Sequence, residues 1–294
     1  MIRRLYCGDN VEVLRGQPSG SVHLVYLDPP FNSGRDWYMT SPAGSRGQVL
    51  AFTDTWKWTP GAAQQYKDCT AAGNPQAAAL EWFRGILGES GALAYLAHMA
   101  ARFPELHRVL GPAGGLFLHV DEKMSHYLKI LLDQVFGCEA FAGQIIWKRT
   151  SSHNNVKRGL ARVHDVILAY RRGGHATWCG PDGRMILGEH GDVWLDIPPI
   201  NASARERLGY PTQKPLPLLT RIITLAGGAG DMLLDPYCGC GTSIDAAQRL
   251  GLGWIGIDVS ADAINLTQSR LRGRGADFEV HGAPAVPPPA GTLF

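Results

Sequence analysis

The chain has 294 residues, 45% of them hydrophobic, enough to bury one large core with a small region appended to it. A formal net charge of +2 marks no polybasic tail, so any affinity for nucleic acid has to come from local clusters of Lys and Arg. Six cysteines without a CxxC pair or a nearby His pattern suggest neither a disulfide framework nor a zinc site. No window reaches the ~18 uninterrupted apolar residues of a membrane span, and "MIRRLYCGDN" lacks the apolar stretch of a signal peptide, so a soluble intracellular protein with reduced thiols is expected.

In chain order, "SVHLVYL" (Ser21 to Leu27) is an apolar run that meets Asp28-Pro29-Pro30, which predicts a buried parallel strand stopped by proline with Asp28 at its carboxyl edge. Residues 33–80 lose periodicity and collect Gly, Pro, Ser, Thr and Trp; they read as an insertion over one face, bounded at 33–90 and assigned no fold. Trp56 and Trp58 within it suit anchoring better than wedging into DNA. From Gly91, "ALAYLAHMAARFPELHRVL" is helical in period, ends at Gly111-Pro112 and leads into a strand, Gly114 to Val120. "EKMSHYLKILLDQVFG" is a second amphipathic helix closed by Gly137. "GQIIWKR" and "DVILAYRR" read as strands on either side of a basic, unpatterned segment. In the last third, the helical segments "PLPLLTRIITLAG", "TSIDAAQRLG" and "ADAINLTQSRLRG" alternate with the strands "DMLLDPY" and "LGWIGIDVS", as a parallel sheet with helices on its faces requires. Residues 282–294, "GAPAVPPPAGTLF", read as a disordered tail.

Three stretches carry chemistry. In "LLDPYCGCGTSIDAAQRLGLGWIGIDVS" a strand ends at Asp235, the chain turns on Gly239 and Gly241 into a helix, and a second strand ends at Asp258. That is the crevice where open parallel sheets hold nucleosides, and an Asp about 20 residues beyond the turn can accept from ribose hydroxyls. The turn is not GxGxxG, and a Gly-x-Gly alone is equally well a plain tight turn; the strand-terminal Asp moves the balance toward a nucleoside. Asp28-Pro29-Pro30-Phe31 reads either as a capped turn with a buried aromatic or as a fixed carboxylate, stiff carbonyls and a flat ring around one small volume. The second reading suits a planar ring bearing an amino group. Lys148, Arg149, Lys157, Arg158, Arg162, Arg171 and Arg172 fall within 25 residues that contain one acid, Asp165, and favour contact with a DNA backbone over a solvated loop.

Taken together these segments resemble the S-adenosylmethionine-dependent DNA amino-methyltransferases in the permuted order often called the beta class. "DPPF" resembles the family's catalytic motif and "DPYCGCGT" its cofactor turn, with Tyr237 in place of the usual phenylalanine. "WIGIDVS" resembles its ribose-binding strand, and "YPTQKPL" (Tyr210 to Leu216) the segment that helps hold the methionine end. "GDNVEVL" near Asp9 and "ELHRVLGPAGGLFLHVD" match further landmarks in the right order, so the likeness covers most of residues 1–272.

The resemblance implies a Rossmann-like α/β methyltransferase fold: a mostly parallel, doubly wound sheet with circularly permuted motif order and a small inserted recognition region. The catalytic domain would span 1–281, with 33–90 inserted and 150–209 contacting DNA. S-adenosylmethionine would be held by Asp9, Asn10, Thr212, Lys214, Asp235, Tyr237, Gly239, Gly241, Thr242 and Asp258. Asp28, Pro29, Pro30 and Phe31 would act on the substrate; Lys148, Arg149, Lys157, Arg158 and Arg162 would touch DNA; no metal is implied. The implied reaction is methyl transfer to the exocyclic amine of a flipped-out base in double-stranded DNA, adenine N6 favoured by Asp28 at the first catalytic position, cytosine N4 the alternative. The expected place is the cytoplasm at the nucleoid, without a membrane; a homodimer and a cognate restriction endonuclease both stay open. Rival readings fit less well. A dehydrogenase leaves DPPF and PTQKP unexplained, and an inactive DNA-binding subunit would not need Asp28, Gly239, Gly241 and Asp258. A cytosine ring-carbon methyltransferase needs a Pro-Cys dipeptide, which the chain lacks, and protein-glutamine or RNA substrates go with Asn in place of the first Asp.

Overall fold

A computed structural model describes residues 1–40, 48–150, 160–173 and 191–282. The chain begins with β1 (Arg3–Cys7), α1 (Asn10–Arg15) and β2 (Val22–Leu27), then a hairpin of β3 (Arg35–Thr40) and β4 (Gln48–Asp54). Four helices follow, α2 (Pro60–Thr70), α3 (Ala77–Leu87), α4 (Gly91–Ala100) and α5 (Phe103–Val109), leading to β5 (Leu110–Val120) and α6 (Glu122–Phe136). Next come β6 (Phe141–Lys148), β7 (His164–Arg171) and the short β8 (Val193–Trp194). The carboxyl third is α7 (Leu216–Ala226), β9 (Met232–Asp235), α8 (Thr242–Arg249), β10 (Gly253–Asp258), α9 (Ala261–Arg272) and β11 (Glu279–His281).

One sheet takes the order β11-β1-β10-β9-β2-β5-β7-β6-β8. Every neighbouring pair in it is parallel except those of β7, which runs antiparallel to both β5 and β6. The fold is therefore the mostly parallel, doubly wound sheet expected. The alternation of β2 explains why: Leu24 and Tyr26 enter a core cluster with Leu218 and Ile222 of α7 and Ile244 of α8, while Val25 and Leu27 enter another with Leu96 of α4 and Leu128 of α6. A strand apolar on both faces is stable only between two helical layers. The chain leaves β9 toward β10 on one side and β2 toward β5 on the other, so the carboxyl ends of these strands border a topological switch point.

The insertion turns out to have a fold. The β3–β4 hairpin forms a separate two-stranded sheet, and α2 and α3 pack beside α4. Thr59 caps α2 by accepting from Ala62 N at 3.2 Å, with Pro60 in the first turn. Only Tyr66 and Cys69 of α2, and Leu80 and Phe83 of α3, are buried, too few positions for a clear apolar period. Trp56 and Trp58 pack against the core, as anchors do. The single helix predicted from Gly91 is two, α4 and α5, broken at Ala101-Arg102 ahead of Pro104. β5 starts at Leu110 rather than Gly114, and β1 had no forecast at all. Lys157, Arg158 and residues 283–294 lie outside the described residues. Among the described residues no helix is long and apolar enough to cross a membrane.

Candidate active site

The turn that follows β9 is built from its own neighbours. Asp235 is buried and accepts from Tyr237 N at 2.9 Å and from the Ser243 hydroxyl. Burial pushes its carboxyl up to about 7, against the opposing pull of those two hydrogen bonds. Gly239 and Gly241 are left-handed, φ 51° and 74°. A Cβ at Gly241 would stand 2.5 Å from the Thr267 side chain, so only glycine fits there. Asp258, at the end of β10, accepts from Gly239 N at 2.9 Å and Ser260 N at 2.8 Å, one bond to each oxygen. An ionised carboxylate has about four acceptor positions, so acceptor capacity remains for a hydroxyl of a ligand.

The neighbouring wall centres on a residue that the sequence reading missed. Arg102, 4% exposed at its side chain, donates to Asn10 Oδ1 at 2.6 Å, to Asp9 Oδ1 at 2.9 Å and to the His98 carbonyl at 2.8 Å. Asn10 in turn donates to the Pro236 carbonyl at 2.8 Å, which ties the start of α1 to the turn after β9. A lone Arg inside the apolar run "HMAARFPEL" was the available signal. Tyr237 bonds through its hydroxyl to His98 Nε2 at 2.9 Å, and burial, then the Arg102 charge, holds that imidazole well below its ordinary pKa. Thr242 accepts from Arg270 at 2.9 Å.

Across the switch point stands the loop after β2. Asp28 Oδ2 accepts from Lys214 Nζ at 2.5 Å, while its Oδ1 is buried without a partner among the described residues. Lys214, read from sequence as a cofactor ligand, thus has its ammonium on the catalytic loop, 5.3 Å from the Phe31 ring centroid. Thr212, two residues earlier, takes a left-handed φ of 59°. Asn32 is also left-handed, φ 58°, and both its N–H and that of Ser33 donate to the Asp54 carboxylate, at 2.7 and 3.0 Å. Asp54, 2% exposed at the end of β4, therefore clamps the loop to the hairpin, and sequence alone had marked neither partner.

These parts face one cavity of about 480 Å³, within the range of small-molecule sites. Asp28 to Phe31 line one side and Asp235, Gly239 and Asp258 another. Stacked rings of Trp37, Phe52 and Tyr210, 6.3 Å apart at each step, bring the hairpin up to the turn. Of the residues expected to hold a cofactor, all line it except Gly241, whose part is to shape the turn. Of the basic residues expected to touch DNA, the described ones, Lys148, Arg149 and Arg162, do not line the cavity. Arg149 pairs with Asp165 at 2.7 Å and Arg162 with Glu122 at 2.8 Å, and Lys148 ends β6.

A doubly wound sheet with one antiparallel strand, a Gly-x-Gly turn opposed to a strand-terminal Asp, and Asp-Pro-Pro-Phe across the switch point define a methyltransferase of Rossmann-like fold. The family model for N6_N4_Mtase, DNA methylase, matches residues 22–269, and the chain belongs to that family. The type II methyltransferase M.HpaI of Haemophilus parainfluenzae is 24% identical over 298 residues, which take in 97% of this chain and 78% of that one. The DNA adenine methyltransferase YhdJ of Escherichia coli K12 is 21% identical over 90% of this chain and 81% of its own. In fold, a Thermus thermophilus protein assigned as a DNA modification methylase, solved with S-adenosyl-L-methionine, gives a TM-score of 0.59 at 21% identity, covering 96% of this chain and 100% of that one. The cytosine-N4-specific PvuII DNA methyltransferase gives 0.57 at 14% identity, covering 91% and 86%.

Proposed function

We propose that this DNA methyltransferase transfers a methyl group from S-adenosylmethionine to the exocyclic amine of a base flipped out of double-stranded DNA at a specific site, with adenine N6 as the acceptor. The observation that carries the reading is Asp28 Oδ1, a buried acceptor without a partner among the described residues, in the same cavity as Asp258 and the glycine turn. The site suits the cofactor: remaining acceptor capacity on Asp258 for a ribose hydroxyl, and the N-terminal N–H groups of α8 beside it. When bound, S-adenosylmethionine supplies an electrophilic methyl group on a sulfonium.

The protein's share is to make a poor nucleophile better. The lone pair of a base's amino group is delocalised into the ring. Hydrogen bonds from its two hydrogens to Asp28 Oδ1 and the Pro29 carbonyl let the nitrogen pyramidalise, and Phe31 holds the ring by stacking. Lys214 holds the other carboxylate oxygen, which aims Oδ1 at the amine. The nitrogen–carbon bond would form as the sulfur–carbon bond breaks, the bonding pair returning to sulfur to leave a neutral thioether, and the proton shed by the amine would pass to Asp28 or to solvent; no covalent enzyme intermediate is needed. A base inside a duplex cannot reach Asp28, so flipping is required.

Adenine is supported by Asp28 at the first catalytic position, which in this family goes more often with adenine. Adenine and cytosine present a similar amino group beside a ring nitrogen, so the mechanism serves either base and the residue at position 28 carries the choice. The test is to incubate the protein with labelled S-adenosylmethionine and unmethylated genomic DNA, digest to nucleosides and identify the product by mass. N6-methyl-2′-deoxyadenosine is expected. Methylated 2′-deoxycytidine alone would overturn the choice of base, and no labelled nucleoside would overturn the function.

A further inference from the structure

Behind the catalytic loop, four polar side chains form a line across four adjacent strands. Tyr26 lies on β2, His119 on β5, Asp165 on β7 and Arg149 just past β6. The Tyr26 hydroxyl is 3.0 Å from His119 Nδ1, His119 Nε2 is 3.1 Å from Asp165 Oδ2, and Arg149 Nε is 2.7 Å from Asp165 Oδ1. Tyr26, His119 and Asp165 are all buried, and only Arg149 reaches solvent, its side chain 39% exposed.

Hydrogen-bonding capacity fixes the direction of the bond to Asp165. Burial first, then the charges of Asp28, Asp235 and Asp165, push the Tyr26 hydroxyl well above its ordinary pKa, so it keeps its proton. Burial alone would raise the Asp165 carboxyl, but the hydrogen bond from His119, together with the surrounding charges, outweighs it and holds it below its ordinary value. An ionised carboxylate only accepts, so His119 donates from Nε2, and its Nδ1 is hydrogen-bonded to the Tyr26 hydroxyl. With both nitrogens engaged, the imidazole has one orientation. The Phe31 ring lies against it, 6.0 Å between centroids and 24° between planes, and Trp147 meets it edge-on at 5.8 Å. An apolar side chain at each position would pack without leaving a buried polar group to satisfy, and such replacements in cores are often neutral or stabilising. The imidazole of this line lies against the ring expected to carry the base, and its outer end is Arg149 of the basic segment, a placement that packing alone does not call for.

We propose that His119 and Asp165 are positioning residues for base capture: they fix the plane of Phe31 and tie it to Arg149, so that the ring is set for the base where the DNA backbone is engaged. The proposal rests on reading the site as one for DNA amino-methylation. It predicts that the couple acts on rate through Phe31 and not through the cofactor.

The experiment measures methyl transfer to unmethylated genomic DNA under saturation, with cofactor affinity by calorimetry, for wild type, Asp165→Asn, Phe31→Leu and the double variant. Asp165→Asn should lower kcat by on the order of tenfold to a hundredfold, the scale of a small misplacement at a reacting centre, with the DNA KM and cofactor affinity within about twofold. In the Phe31→Leu background the same change should cost nothing further, because the ring it positions is gone. A merely structural role would instead add its loss in both backgrounds and lower cofactor affinity with the folded fraction. Tyr26→Phe removes one hydroxyl from the same line and leaves the ring in the core, so it runs the same cycle if Asp165→Asn fails to fold. Wild-type kcat in both folded variants, or additive losses in the cycle, overturns the proposal. A wild-type protein that methylates no DNA overturns the function reading and the proposal with it.

Discussion

The cofactor turn and the catalytic loop border the same cavity and are held by opposite means. In the turn, Asp235 binds residues two and eight positions on, and Asp258 reaches back nineteen to Gly239. The loop after β2 is held from outside: by Lys214, 186 residues away on the far side of the sheet's switch point, and by Asp54 across the hairpin. A turn closed mainly by short-range bonds, with Asn10 and His98 as added ties from outside, takes its shape chiefly from its own strands and helix. A loop clamped by distant segments depends on all of them being in place. Damage to the turn should therefore be read in stability and cofactor affinity, and damage to the loop in rate.

The sharpest test of that division is Asp28→Ala. It should reduce methyl transfer by on the order of a thousandfold, as loss of preorganised contact at the reacting centre does, and leave cofactor affinity within about twofold. A loss of only a few-fold would remove the loop from the chemistry. Gly241→Ala should do the reverse, because a side chain there meets Thr267 at 2.5 Å and must adopt a left-handed φ. Together these should cost roughly 2–4 kcal/mol, visible as a lower urea midpoint and as weakened cofactor binding. Unchanged stability would mean the turn is looser than its bonds suggest.

Asp258→Ala should weaken cofactor binding by about 1.5–3 kcal/mol, the worth of hydrogen bonds to a charged group, while kcat at saturating cofactor stays near wild type. A fall in kcat with unchanged affinity would blur the division between the two regions. The remaining test concerns Asp235. Its carboxyl keeps a proton in the fold up to about pH 7 but loses it near 3.8 when unfolded, so between those values the folded state binds more protons. Its contribution to stability is full below the unfolded value and is lost as pH rises toward 7. Asp235→Asn should flatten that decline, checked by urea midpoints at about pH 4, 5.5 and 7.5. An unaltered pH profile would show that the decline comes from other groups.

The same division sets how much was legible in the sequence. The three acids at strand ends could be found because each closes an apolar run: Asp28 and Asp235 run straight into Pro29 and Pro236, and Asp258 ends "WIGID". The glycines of the turn were equally plain, being local requirements of backbone shape. Lys214 was legible as a residue of the site, but its bond to Asp28 was not, since a motif gives a lysine's position in the chain and not the direction of its ammonium. Arg102, Asp54, His119 and Asp165 had no local pattern to announce their pairings.

By itself, then, the sequence determined the alternation of strands and helices, the carboxyl-edge acids and the glycine turn, because period, proline stops and left-handed backbone are properties of a few consecutive residues. Only the tertiary structure decided what holds the catalytic loop. His119 meets Asp165 because β7 runs antiparallel beside β5, Lys214 meets Asp28 across the switch point, and Asp54 clamps the loop only once the hairpin has folded. Such pairings depend on which strands become neighbours and in which direction, an outcome of burying apolar faces across the whole sheet that no short stretch of chain encodes.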